Sequence, residues 1–129
     1  IKIPPEQMHN ALAYAHLFVG ESSTMATESA VLGTPSIYIN DSKLGYTNDL
    51  ANYGLLYSYM ESENDQIAAI KKAEELALKQ NIKEEYIAKR EKMLADKIDV
   101  SAFLIWFVEN YPESFKEVKA KDFDFGRFK

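Results

Sequence analysis

The chain has 129 residues, enough for one compact domain and too few for two of ordinary size. Its net charge of −5 argues against a nucleic-acid partner, which would need a basic face. With no cysteine, disulfides, thiolate zinc sites and cysteine nucleophiles are excluded, and a reducing compartment fits. Hydrophobic residues at 47% and charged residues at 27% set it apart from disordered chains. The longest apolar run, Ala102 to Val108, is far short of the roughly 20 residues needed to span a bilayer.

Ile1-Lys2-Ile3-Pro4-Pro5 reads as the end of a strand running into a helix start, with no initiator methionine, so the chain is expected to be a piece of something longer. Proline suits the first turn of that helix, and Glu6 suits the positive end of its dipole. Three short apolar runs follow as expected strands, at His16–Val19, Ser36–Ile39 and Leu55–Tyr59. Between them, Thr24–Leu32 and Tyr46–Tyr53 read as helices, closed by Gly33 and Gly54. Strands separated by helices of this length indicate parallel βαβ units.

From Asp65 the pattern turns helical, with Ile67, Ile70, Ala73 and Ala77 near one face. Ile82, Tyr86 and Met93 continue it, and the charged Glu84–Lys92 stretch reads as a solvated face. A last helix has Phe103–Val108 as its centre. It is apolar on every side and is therefore expected to be buried between other elements. Phe115, Phe123, Phe125 and Phe128 in the tail predict packing rather than a free end. The fold class expected is α/β: a parallel sheet of about three strands in residues 1–60, then a helical half in 61–129.

Chemistry concentrates in Gly20-Glu21-Ser22-Ser23-Thr24-Met25-Ala26-Thr27-Glu28. A strand ends in a loop of small hydroxyl residues where a helix begins. The first N–H groups of that helix lack intrahelical acceptors and carry the positive end of its dipole, so a phosphate can settle there. Glu28, about one turn further, is placed to accept from a vicinal diol such as a ribose. An ordinary Ser/Thr helix cap accounts for the same residues from spacing alone. His9 fits either a cleft wall or a half-exposed helix position. Glu21 fits either a recognition role or simple complementation of the dipole. Asn40-Asp41, at the end of the next strand, fits a sugar contact or a turn. Tyr46 and Asn48 carry the same ambiguity. Thr24 stands where a hydrolase elbow needs glycine, and no lysine follows the loop as in a P-loop, so neither chemistry is expected. Glu21 and Glu28 lack the histidines of a usual metal site.

The run GESSTMATESAVLGTPSIYIN resembles the TDSGGxQEEAxxLGxPV motif of the non-hydrolysing UDP-N-acetylglucosamine 2-epimerases, aligned without a gap. It is similar, more closely still, to a family of bacterial and archaeal predicted glycosyltransferases with the pattern GExxTMxxEAAxLGTPxxxxN. GYTNDLANYGLLYSY resembles that family's continuation. The resemblance implies the C-terminal, Rossmann-like domain of a GT-B fold. Residues 1–60 would then be its nucleotide-sugar-binding half and 61–129 its helical remainder. It passes the phosphate-binding role to Ser22, Ser23 and Thr24 and the ribose-binding role to Glu28, with Met25, Glu21, His9 and Asn40 as further nucleotide-sugar-binding candidates. Both glycines of the epimerase motif are replaced, by Ser23 and Thr24, and its first glutamate is Thr27, which leaves the ligand's identity open.

The resemblance further implies a UDP-sugar donor as substrate, no separate cofactor, and catalytic residues on an N-terminal domain of the same polypeptide. It puts the intact enzyme in the cytoplasm, with the inner membrane face as a secondary address, serving surface polysaccharide synthesis. A sheet cut from a larger domain leaves an edge bare, so a homo-oligomer is expected, through the strand at 16–19 or the C-terminal helix. The competing reading is a non-catalytic α/β interaction module that docks a partner through its helical half.

Overall fold

A computed structural model describes residues 2–42 and 44–129. The chain divides into two compact units, Ile1–Lys92 and Met93–Lys129.

The first unit is α/β. Its three strands are β1 (Phe18–Gly20), β2 (Ser36–Ile39) and β3 (Leu56–Tyr59), all parallel and in the order β1-β2-β3. Phe18 stands opposite Ser36, which stands opposite Leu56. β1 starts two residues later than the apolar run suggests, because the first ladder bond runs from the Phe18 N–H to the Pro35 carbonyl. His16 instead sets its Nε2 3.3 Å from the Leu76 carbonyl oxygen. No strand forms at Lys2 and Ile3, which are irregular, and Ile1 lies outside the described residues. A strand needs a ladder partner, and among the described residues none pairs there. A 3-10 turn at Pro5–Gln7 leads instead into α1 (Met8–Tyr14).

The crossovers are α2 (Ser23–Val31) and α3 (Gly45–Asn52). Both step the same way across the sheet, so right-handed connection places both on one face. There α2 packs against α1 on one side and α3 on the other. Gly33 closes α2 with a φ of +82°, a conformation that disfavours a side chain. The opposite face receives α4 (Glu63–Leu78) and α5 (Ile82–Asp96). Lys72 of α4 lies 5.0 Å over the Tyr57 ring, and the Tyr86 hydroxyl of α5 donates to that of Tyr57 at 3.0 Å. Tyr86 is fully buried, and desolvation, reinforced by that bond, raises its hydroxyl well above the ordinary phenol range.

Ile37, Leu55, Leu56, Leu76, Ile82 and Tyr86 form the core of this unit. The buried side of α4 is Ala69 and Leu76, whereas Ile67 and Ile70 are exposed, contrary to the face read from periodicity. Small residues let the helix approach the sheet closely, and the two isoleucines fall outside that contact.

The second unit holds α6 (Val100–Glu109), α7 (Glu113–Val118) and a terminal 3-10 turn at Phe125–Phe128. The tail packs as expected. Phe103 meets Phe125 and Phe128 at 5.8 and 5.4 Å, Trp106 meets Phe123 at 5.5 Å, and the Arg127 guanidinium lies 3.9 Å over Trp106. The expected burial of α6 does not occur. Leu104, Ile105 and Val108 are 53, 59 and 72% exposed, because the tail supplies rings for one side of the helix only. Among the described residues no helix is long and apolar enough to cross a membrane.

Candidate functional site

In a parallel sheet every strand's carboxyl end opens onto the same edge, and every crossover helix begins there. Gly20, Ile39 and Tyr59 end their strands on that edge, so Glu21–Ser22, Asn40–Ser42 and Met60–Ser62 are neighbouring loops.

At the first loop Ser22 is the helix N-cap, and its Oγ accepts from the Met25 N–H at 3.3 Å. Met25 is thereby satisfied by the cap. Ser23 and Thr24, the first two residues of α2, have backbone N–H groups that find no acceptor within the helix. The Tyr46 hydroxyl donates to Ser23 Oγ at 3.2 Å, tying the first turn of α3 to the first turn of α2. Thr27 turns its hydroxyl back on the helix, 2.9 Å from the carbonyl oxygens of both Ser23 and Thr24.

Helical spacing carries the site onward. Positions 23/24, 27/28 and 31/32 lie one turn apart and share one side of α2. Thr27, Glu28, Val31 and Leu32 line a hollow of about 290 Å³ whose other wall is His9 of α1. His9 Nε2 stands 3.4 Å from Glu28 Oε2, so the two residues singled out from different helices do meet. The hollow is apolar along Val31 and Leu32 and polar at the His9–Glu28 end. Its mouth lies about one helical turn, or 5.4 Å, from the free N–H groups. Sequence reasoning passed over Val31 and Leu32. Their i+4 spacing from Thr27 and Glu28 was the available signal.

Glu21 and Asn40 are not brought to this hollow. Glu21 is exposed and lines a separate depression with Ile39, Glu61, Gln66 and Ile70. Asn40 anchors loops: its Nδ2 donates to Glu61 Oε1 at 3.1 Å, while its Oδ1 accepts the Ser42 N–H at 2.9 Å. Asp41 Oδ1 accepts the Glu61 N–H at 2.9 Å, closing a second tie between the ends of β2 and β3. Among the described residues no group of three or more His, Cys, Asp or Glu could hold a metal.

A lysine stabilises the platform from behind. Thr34, fully buried after Gly33, donates its hydroxyl to the Leu12 carbonyl at 2.8 Å. Lys83 of α5 donates to Thr34 Oγ1 at 2.7 Å and to the Ala13 carbonyl at 2.5 Å, gripping the C-terminal end of α1. Burial, with a smaller contribution from Arg90, lowers the Lys83 pKa. Lys83, which stands just before the charged Glu84–Lys92 stretch, therefore holds α1, and with it His9, against α2. No protein-family model, curated protein or solved structure was found to match this chain.

Proposed function

We propose that this chain binds a nucleotide sugar, in the form of a UDP-sugar, as one wall of a GT-B-type glycosyltransferase or epimerase-like enzyme working in the cytoplasm. The observation that carries the reading is the single stripe on α2. Unpaired N–H groups and hydroxyls at Ser23 and Thr24 suit a diphosphate, and Glu28 one turn on suits a ribose diol. The His9–Val31–Leu32 hollow beyond suits the flat face of a base. The motif resemblance assigns the phosphates to Ser22, Ser23 and Thr24 and the ribose to Glu28. No separate cofactor is required, because the donor carries its own leaving group. A second wall, with the catalytic groups, belongs to a partner domain in this reading. One wall alone binds at about millimolar strength, near −4 kcal/mol.

The test is an amide NMR titration with UDP. Shifts at Ser22–Met25 are expected, and Glu28→Ala should weaken UDP about tenfold while leaving inorganic phosphate unchanged, since a carboxylate hydrogen-bonded to a diol contributes about 1.5 kcal/mol. Equal loss for both ligands, or no shift at Ser22–Met25, refutes the assignment.

A second reading, an interaction module, is favoured by the bare side of α6. Its occupant in this reading is a second copy of the chain, antiparallel across a two-fold axis. Val100, Leu104, Ile105 and Val108 are each more than half exposed. Burying the exposed part of each yields about 1 kcal/mol, so two copies gain about 8 kcal/mol against an association cost of similar size. The homodimer is therefore weak. It contributes to assembly and is compatible with the donor-binding role.

A further inference from the structure

The carboxyl edge holds a second hollow that the nucleotide reading leaves empty. It measures about 350 Å³ and lies between the first turn of α3 and the end of β3. Thr47 and Asn48 form one wall, Ser58 to Met60 the other, and Asn40 to Ser42 the rim. The ties from Asn40 and Asp41 to Glu61 fix that rim. Thr47 is buried, and its hydroxyl donates to the Leu44 carbonyl at 2.7 Å, which holds the wall in place.

The lining sorts ligands by chemistry. Among the described residues that line the hollow, Asp41 is the one charged side chain, and it disfavours an anion beside it. Among the described lining residues Asp41 is the only acid, which is too few to hold a metal cation. Tyr59 and Met60 set apolar surface beside these polar groups. The Asn48 carboxamide, the Ser58 hydroxyl and the second Asp41 oxygen remain as mixed donors and acceptors. That set matches a neutral ligand with several hydroxyl groups.

Position links this hollow to the first site. α2 lies between α1 and α3, so its N-terminus stands between the His9–Glu28 hollow on one side and this one on the other. The Tyr46–Ser23 bond joins the phosphate-binding turn to the helix turn that carries Thr47 and Asn48. We infer that the hollow formed by Asn48, Ser58 and Asp41 seats the sugar half of the donor, an inference that rests on the nucleotide-sugar reading. The base and ribose then lie on the α1 side of α2, the diphosphate on its N-terminus, and the hexose on the α3 side.

The experiment titrates the full chain with UDP, UDP-glucose, UDP-N-acetylglucosamine and free glucose, following backbone amides and the Asn48 side-chain NH₂ by NMR. At least one UDP-sugar should move Asn48 and Ser58, which UDP leaves in place. Asn48→Ala should weaken that UDP-sugar about fivefold and UDP less than twofold, the loss of one neutral hydrogen bond. Identical responses of Asn48 and Ser58 to UDP and to both UDP-sugars overturn the inference, as does equal weakening of all three by Asn48→Ala; the nucleotide reading survives either result. If UDP moves nothing at Ser22–Met25, the nucleotide reading falls instead. The hollow is then judged on free glucose at high millimolar concentration, where unmoved Asn48 and Ser58 signals overturn it too.

Discussion

Replacing Thr34 by valine tests whether the Lys83 clamp holds the platform together. The substitution keeps shape, so no cavity term enters, and the cost is polar. The Leu12 carbonyl loses its 2.8 Å partner and keeps only a longer contact from the Ala15 N–H at 3.3 Å, a loss of about 1 kcal/mol. The part-buried Lys83 ammonium loses one of its two acceptors, about 1.5–2 kcal/mol more. The total, about 2.5–3 kcal/mol, lowers the Tm of a unit this size by at least about 10 °C. Lys83→Met removes the partly desolvated charge and leaves the Thr34–Leu12 bond, so it costs under about 1 kcal/mol. In the double variant the two costs fall short of additivity by about 1.5 kcal/mol. Urea denaturation followed by circular dichroism measures all three. Strict additivity, or a Thr34→Val cost below about 1 kcal/mol, refutes the clamp. The pH dependence adds a check. Burial lowers the Lys83 pKa when folded, so between that value and 10.5 the unfolded chain binds more protons and stability rises with pH. Lys83→Met lacks that rise.

Glu85 accepts from Lys79 at 2.6 Å and Lys89 at 2.7 Å, and these bonds lower its pKa below 4.5. Its contribution is complete above 4.5 and is lost as pH falls through the lowered value, so acid titration should bring wild type and Glu85→Gln together. Gly33→Ala forces a side chain onto a φ of +82° with its Cβ 3.3 Å from Ile87, and chemical denaturation should show a loss of about 1–2 kcal/mol. Leu104→Asp places a charge in the bare side of α6. Sedimentation at high micromolar concentration should show the wild-type dimer and a monomeric variant, and a wild-type monomer throughout would remove the second reading.

The sequence alone determined most elements of the first sixty residues, though not a strand before Pro4 or the start of β1. Short apolar runs punctuated by Gly33, Pro35 and Gly54 define β2 and β3 and the helices between them, because those signals act over a few residues. The same local logic placed Ser22 as a cap and Glu28 one turn beyond it. Tertiary structure alone decided the partners. His9 meets Glu28 only because α1 packs on α2, and Asn40 ties to Glu61 only because β2 lies beside β3. Lys83 reaches across 49 residues to Thr34, a contact to which no periodicity points. The exposed stripe of α6 is the converse case. Hydrophobicity can say that a surface seeks cover, but only the positions of Phe123, Phe125 and Phe128 say which side receives it. Local sequence sets backbone conformation through short-range sterics and hydrogen bonding, whereas pairing between distant side chains depends on how the chain closes its loops, which is a property of the whole fold.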